Sequence, residues 1–123
     1  LRDLGVSRIG HGVRAIEDLA LVDDLAEGQV VLECCPGANI ALGLYPGWRQ
    51  HPVGELYRRG GRVTLSTDDP AFFRTGMAHE YERLHDAFDW DEGVFRDMAR
   101  TALSAAFCDE ATRARLMKRL EDA

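Results

Sequence analysis

The chain has 123 residues, 46% of them hydrophobic, which suffices for the core of one ordinary domain. A formal net charge of -6 without a long basic run argues against nucleic-acid binding, and no apolar run approaches the roughly 18 residues that a membrane span needs. Three cysteines, two of them adjacent, make a poor disulfide framework, so Cys34, Cys35 and Cys108 read as free thiols of a reducing, cytoplasmic compartment.

Val6 to Gly10 carries β-branched Val6 and Ile9 and ends in Gly10-His11-Gly12, which predicts a strand and a tight turn. Ala15 to Ala26 places Ile16, Leu19, Val22 and Leu25 near helical spacing, with Gly28 as the stop. Val30 to Cys34 is a second apolar strand, halted by Pro36-Gly37. A loop of roughly fifteen residues is expected next, carrying Gly43, Pro46 and Gly47; loops of that length are usually functional or mobile. Pro52 to Arg59 fits a short helix, and Arg62 to Ser66 a third strand.

From Gly76 onward the sequence reads as helix: Ala78 to Ala87, Asp91 to Phe107 and Glu110 to Leu120, with Asp91 and Asp109 as N-caps. Arg113, Arg115, Lys118 and Arg119 read as a solvated helix face. Short apolar strands alternating with helices indicate a parallel α/β sheet covered on both faces. Residues 1–123 are expected to form one partial domain, with 76–123 as its helical tail. A three-stranded parallel sheet with two open edges points to a piece of something larger.

Each strand ends in a distinctive cluster: Gly10-His11-Gly12, then Glu33-Cys34-Cys35-Pro36-Gly37-Ala38-Asn39, then Ser66-Thr67-Asp68-Asp69-Pro70. Taken alone, Asp68-Asp69-Pro70 is open to two readings, a turn that caps the next helix or a charged site at a strand mouth. His11, taken alone, reads first as a hydrogen-bonded histidine in a tight turn and second as a base with a pKa near ~6.5. In a parallel sheet all C-terminal strand ends lie on one side, so the clusters converge, and convergence favours function. Asp68 suits a metal through oxygen, and Asp69 suits hydrogen bonds from an N–H-rich substrate.

Together with Arg8-Ile9 before the first cluster, Leu32 before the second, His51-Pro52, and Leu65 before the third, these motifs closely resemble the adenosine deaminase family of zinc-dependent amidohydrolases. The resemblance runs from about Leu4 to the C-terminal helices. It implies the C-terminal part of a (β/α)8 TIM barrel, with these strands as the sixth, seventh and eighth. By that resemblance His11 matches the histidine that orients and deprotonates the attacking water. Asp68 matches the aspartate that binds Zn2+ and contacts the attacking hydroxide, and Asp69 the aspartate that hydrogen-bonds a purine ring nitrogen. The implied reaction is hydrolytic deamination at C6 of adenine or adenosine, so the implied partner is a small-molecule purine base or nucleoside. The cytidine-type pattern, His-x-Glu with Pro-Cys-x-x-Cys, is absent.

Family members also carry a His-x-His pair and a His-Ala-Gly-Glu motif, and neither occurs here. The remaining zinc ligands and the proton donor are therefore expected in the missing N-terminal half of the barrel. The isolated 123 residues are expected neither to hold zinc tightly nor to deaminate adenosine. Two alternatives stand beside this reading: a deaminase of another aminopurine, and an inactive fragment or α/β binding module that uses its sheet edges. Ala38 stands where the family often has serine. Tyr45, Trp48 and Phe72-Phe73 read either as an apolar wall for a purine or as packing under the long loop. His51 reads as a local cap or a surface residue, His79 and His85 as solvated, Cys34-Cys35 as a buried strand end, and Trp90 as a staple into the following helix.

Overall fold

Three strands lie parallel in the order β1 (Arg8–Gly10), β2 (Val31–Cys34) and β3 (Arg62–Leu65) in the computed structural model, which describes residues 4–123. Ile9 pairs with Leu32 and Leu32 with Val63, so these side chains share one face with Cys34 and Leu65. The core forms on that face with Val22, Leu25, Leu56, Leu84 and Met98 from the helices. Burying each such aliphatic side chain contributes about 1.5–3 kcal/mol. The opposite face carries Arg8, Glu33 and Thr64. There the Arg8 guanidinium lies 3.5 Å over the Phe107 ring, and its Nε sits 3.2 Å from Glu33 Oε1.

β1 is shorter than its sequence predicts, although ladder pairing starts one residue earlier, where Val31 N–H donates to Ser7 O. The helix expected over Ala15 to Ala26 is two elements. A 3-10 turn (Val13–Glu17) meets α1 (Leu19–Glu27) at Asp18, whose extended backbone and carboxylate cap α1 by accepting from the Ala20 and Leu21 amides. Apolar spacing runs through this break, which is why periodicity alone misses it. Gly28 ends α1 in the right-handed region, and Gln29 takes the left-handed turn.

The long loop expected after β2 is also structured. α2 (Pro36–Ala41) starts at Pro36, because proline at a first helical position starts a helix as readily as it stops a strand. A 3-10 turn (Trp48–Gln50) and α3 (Val53–Arg58) follow. After β3, a one-turn helix α4 (Pro70–Phe73) leads to α5 (Met77–Phe88), α6 (Glu92–Ala105) and α7 (Glu110–Asp122). Asp91 and Asp109 cap α6 and α7 as expected. α6 packs on β3 and α7 on α6. Trp90 stacks on Phe88 at 4.9 Å and lies edge-on to Tyr57 and Phe95, which makes it the expected staple.

The basic stretch does not behave uniformly. Arg113 turns inward and donates to the carbonyls of Leu103, Ser104, Ala106 and Cys108, closing the C-terminus of α6, while Arg115, Lys118 and Arg119 stay exposed. Among the described residues no helix is long and apolar enough to cross a membrane.

Candidate active site at the strand mouths

β1 delivers His11 immediately beyond its last residue. His11 holds a left-handed backbone (φ 59°), its N–H donates to Glu33 O at 2.9 Å, and its carbonyl accepts from Cys34 Sγ at 3.7 Å. Gly12 follows at φ 67°, and a Cβ there would lie 2.6 Å from Leu32 Cδ2, so only glycine fits. Beyond β3, Asp68 is also left-handed (φ 60°), with its N–H donating to Ser66 Oγ at 3.4 Å. The two side chains meet above β2: His11 Nε2 lies 3.7 Å from Asp68 Oδ2, and both remain partly exposed.

Cys35, from the end of β2, sits between them. One donor atom from each of His11, Cys35 and Asp68 falls within 4.8 Å of the others. Burial pushes the Cys35 thiol up to about 11, helped by the negative charges of Asp68 and Glu80 and opposed by hydrogen bonding to Ser66 and Asp68. Cys34 rises to about 12, again mainly by burial. Both are protonated thiols at neutral pH, as expected of a buried strand end, and neither serves as a ready nucleophile.

Asp69 performs the capping role that its motif left open. Its Oδ1 accepts from Phe72 N–H at 3.0 Å at the start of α4. The residue is nevertheless exposed, and its other carboxylate oxygen has no partner among the described residues. The cap thus leaves one carboxylate oxygen open to a further hydrogen bond.

His51 departs from a surface reading. It is 2% exposed; its Nδ1 accepts from Val53 N–H at 3.1 Å and its Nε2 donates to Asn39 Oδ1 at 3.0 Å. The first bond requires an unprotonated Nδ1, so the proton is on Nε2. Burial lowers its pKa to about 4, which keeps the ring neutral. Local capping is confirmed, and the second bond holds Asn39, itself 2% exposed, in the lining of the concavity that His11 and Asp68 also line. His79 is half-buried, edge-on to Trp48, and His85 is exposed with Nδ1 2.7 Å from Trp90 O.

An open concavity of about 730 Å³ is lined by His11, Asp68, Asn39, Leu42 and Leu44 and extends to Leu21 of α1. Its apolar wall therefore combines Ile9, Leu21 and Leu32 with Leu42 and Leu44 from the chain after α2. Tyr45 packs on His51 and Trp48 on His79, while Phe72 touches Phe73 and is 73% exposed; none of these aromatic residues lines the concavity. For Tyr45 and Trp48 the packing reading holds. Glu80 of α5 escapes a sequence reading altogether. It is fully buried and accepts from Gly37 N–H and from the Thr75 hydroxyl, a partnership across 43 residues that no local pattern announces.

The sequence model of the adenosine deaminase family, described as "Adenosine deaminase", matches residues 1–123. The chain is 56% identical over 117 residues to an adenine deaminase of Agrobacterium fabrum, covering 95% of this chain and 36% of that protein. It is thus about a third as long as the curated relatives it matches. Among solved structures, an adenine deaminase from Arthrobacter aurescens superimposes with a TM-score of 0.91 at 29% identity, over 97% of this chain and 36% of that one. An amidohydrolase from Burkholderia ambifaria with bound Zn shares the fold, with a TM-score of 0.78 at 22% identity over 97% of this chain and 35% of its own.

Proposed function

The chain belongs to the adenosine deaminase family, with the three parallel strands and helices of a partial (β/α) barrel, and from that membership we propose that the whole protein deaminates adenine by hydrolysis, with zinc as its metal. The observation that carries the reading is the approach of His11 Nε2 to Asp68 Oδ2 at 3.7 Å, from two strands that are not neighbours. The adenine deaminase relatives supply the preference for the free base over the nucleoside.

The exposed Asp68 carboxylate offers oxygen donors to a borderline divalent cation, with the His11 imidazole beside it to act on a water there. Asp68 would hold the ion. Zinc, when bound, supplies Lewis acidity, which makes water easier to ionise at neutral pH. A zinc-bound fold neighbour supports the choice of metal.

His11 then has one task. Its Nε2 accepts a proton from the attacking water as the oxygen adds to C6, and that proton is available for the amine as the C6–N bond breaks. Water and adenine become hypoxanthine and ammonia. The Asp68 carboxylate stabilises the imidazolium formed in between. Asp69, held by its cap to Phe72, presents its second oxygen to a purine ring N–H. The buried thiols take no part. The donor that protonates the ring comes from elsewhere in the barrel.

The test uses the full-length protein. Zinc content by elemental analysis and adenine turnover are measured for Asp68→Ala and His11→Ala. Asp68→Ala is expected to lose the metal, and His11→Ala to keep it while losing turnover by about 10²–10⁴-fold. Full activity in His11→Ala would remove its assigned role.

A further inference from the structure

We propose that Glu80 is a positioning residue of this site, a buried clamp that sets the spacing between its two halves; the inference rests on the deaminase reading above. Glu80 is 0% exposed. Its Oε2 accepts from Gly37 N–H at 2.9 Å, and its Oε1 accepts from the Thr75 hydroxyl at 2.8 Å. Neither partner is incidental to the site.

Gly37 lies two residues beyond Cys35 in the first turn of α2, the helix that carries Asn39. A Cβ on residue 37 would overlap Oε1 of Glu80, so the glycine is the space the carboxyl occupies. Thr75 lies beyond α4, and its own N–H donates back to Pro70 O at 3.2 Å, next to Asp69. α2 and α4 also touch directly. One carboxyl thus joins the chain after β2 to the chain after β3. Asp68 and Asp69 lie on one side of the clamp, and Cys35 and Asn39 on the other.

Burying a carboxyl is unfavourable unless its hydrogen bonds are made. Here one bond goes to the first turn of α2 and the other to the segment after α4, so the geometry of each depends on the other. Small misplacements of binding groups have large kinetic effects, because reacting atoms must be held to within fractions of an ångström. Glu80 touches no reacting atom; it acts through the residues it spaces.

The experiment measures kcat, KM for adenine, zinc content and melting temperature for full-length Glu80→Ala, Glu80→Gln and Thr75→Val, with exposed Glu82→Ala as control. Glu80→Ala is expected to lower kcat/KM by about 10–100-fold, mainly through KM, and to weaken zinc retention. Glu80→Gln should recover most of this, since its amide keeps an acceptor for Gly37 N–H and gains a donor for Thr75 Oγ1. Thr75→Val cuts one arm and should give a smaller loss of the same kind. Lowered melting temperatures with unchanged kcat, KM and zinc content would make Glu80 merely structural and overturn the proposal. If Glu80→Ala does not fold, an unaltered kcat/KM in Thr75→Val overturns it as well. Wild-type turnover tests the deaminase reading by itself. The clamp is judged on variant-to-wild-type ratios and on zinc content, which can be read without turnover.

Discussion

His11 and Asp68 share a left-handed backbone conformation, uncommon outside glycine, and their side chains meet 3.7 Å apart above the strand that separates them. Five non-glycine residues among those described have a positive φ. Gln29, Arg74 and Asp89 follow the ends of α1, α4 and α5, where a left-handed residue is an ordinary way to terminate a helix. Only His11 and Asp68 of the five follow strands. Each such residue costs about 1–2 kcal/mol, and such costs collect at functional sites.

The strain makes stability and activity separable. Glycine adopts φ near +60° without a steric penalty, at the expense of a more flexible unfolded chain. His11→Gly and Asp68→Gly are therefore expected to stay within about 1 kcal/mol of wild-type stability, while turnover falls by at least about 10²-fold. Thermal melts alongside adenine turnover check this. A destabilisation of several kcal/mol would mean that the side chains serve the fold first.

His51 gives a pH dependence with a definite sign. Its folded-state pKa, about 4, lies below the ordinary 6.5 because burial penalises the imidazolium. The unfolded chain therefore binds the proton more readily between these values. The stability that depends on neutral His51 is complete above pH 6.5 and is lost as pH falls towards 4, a span of about 3 kcal/mol. Urea denaturation at several pH values should show this slope, and His51→Gln should flatten it. An unchanged slope in His51→Gln would assign the acid sensitivity to other groups.

Arg113 separates a structural arginine from a solvated one. It donates to four carbonyls around the end of α6, so Arg113→Ala leaves several acceptors without a partner and should cost about 1–3 kcal/mol. Arg115→Ala and Lys118→Ala, at exposed positions, should change stability by less than about 0.5 kcal/mol. Denaturant melts distinguish the three. Equal, small effects would return the whole stretch to the surface.

What the sequence determined by itself is what neighbouring residues enforce on one another. Asp91 and Asp109 cap the helices that follow because the partner amides are three residues away. Apolar β-branched runs with glycine or proline stops mark the three strands, and parallel order then sends His11, Cys35 and Asp68 to one side. The family motifs lie at those same mouths, so the candidate site was legible early.

Tertiary structure decided whatever depends on distant partners. Pro36-Gly37 looks like a strand stop followed by loop, yet it opens α2, with Glu80 as a hydrogen-bond partner 43 residues away. His51 looks like a surface cap, yet Asn39 and Tyr45 pack against it, and the apolar wall of the concavity is made by aliphatic side chains such as Ile9, Leu32, Leu42 and Leu44 and not by the aromatics. A buried polar group must find its hydrogen-bond partner wherever the fold places one. Sequence spacing carries no record of that partner, and only the packed chain does.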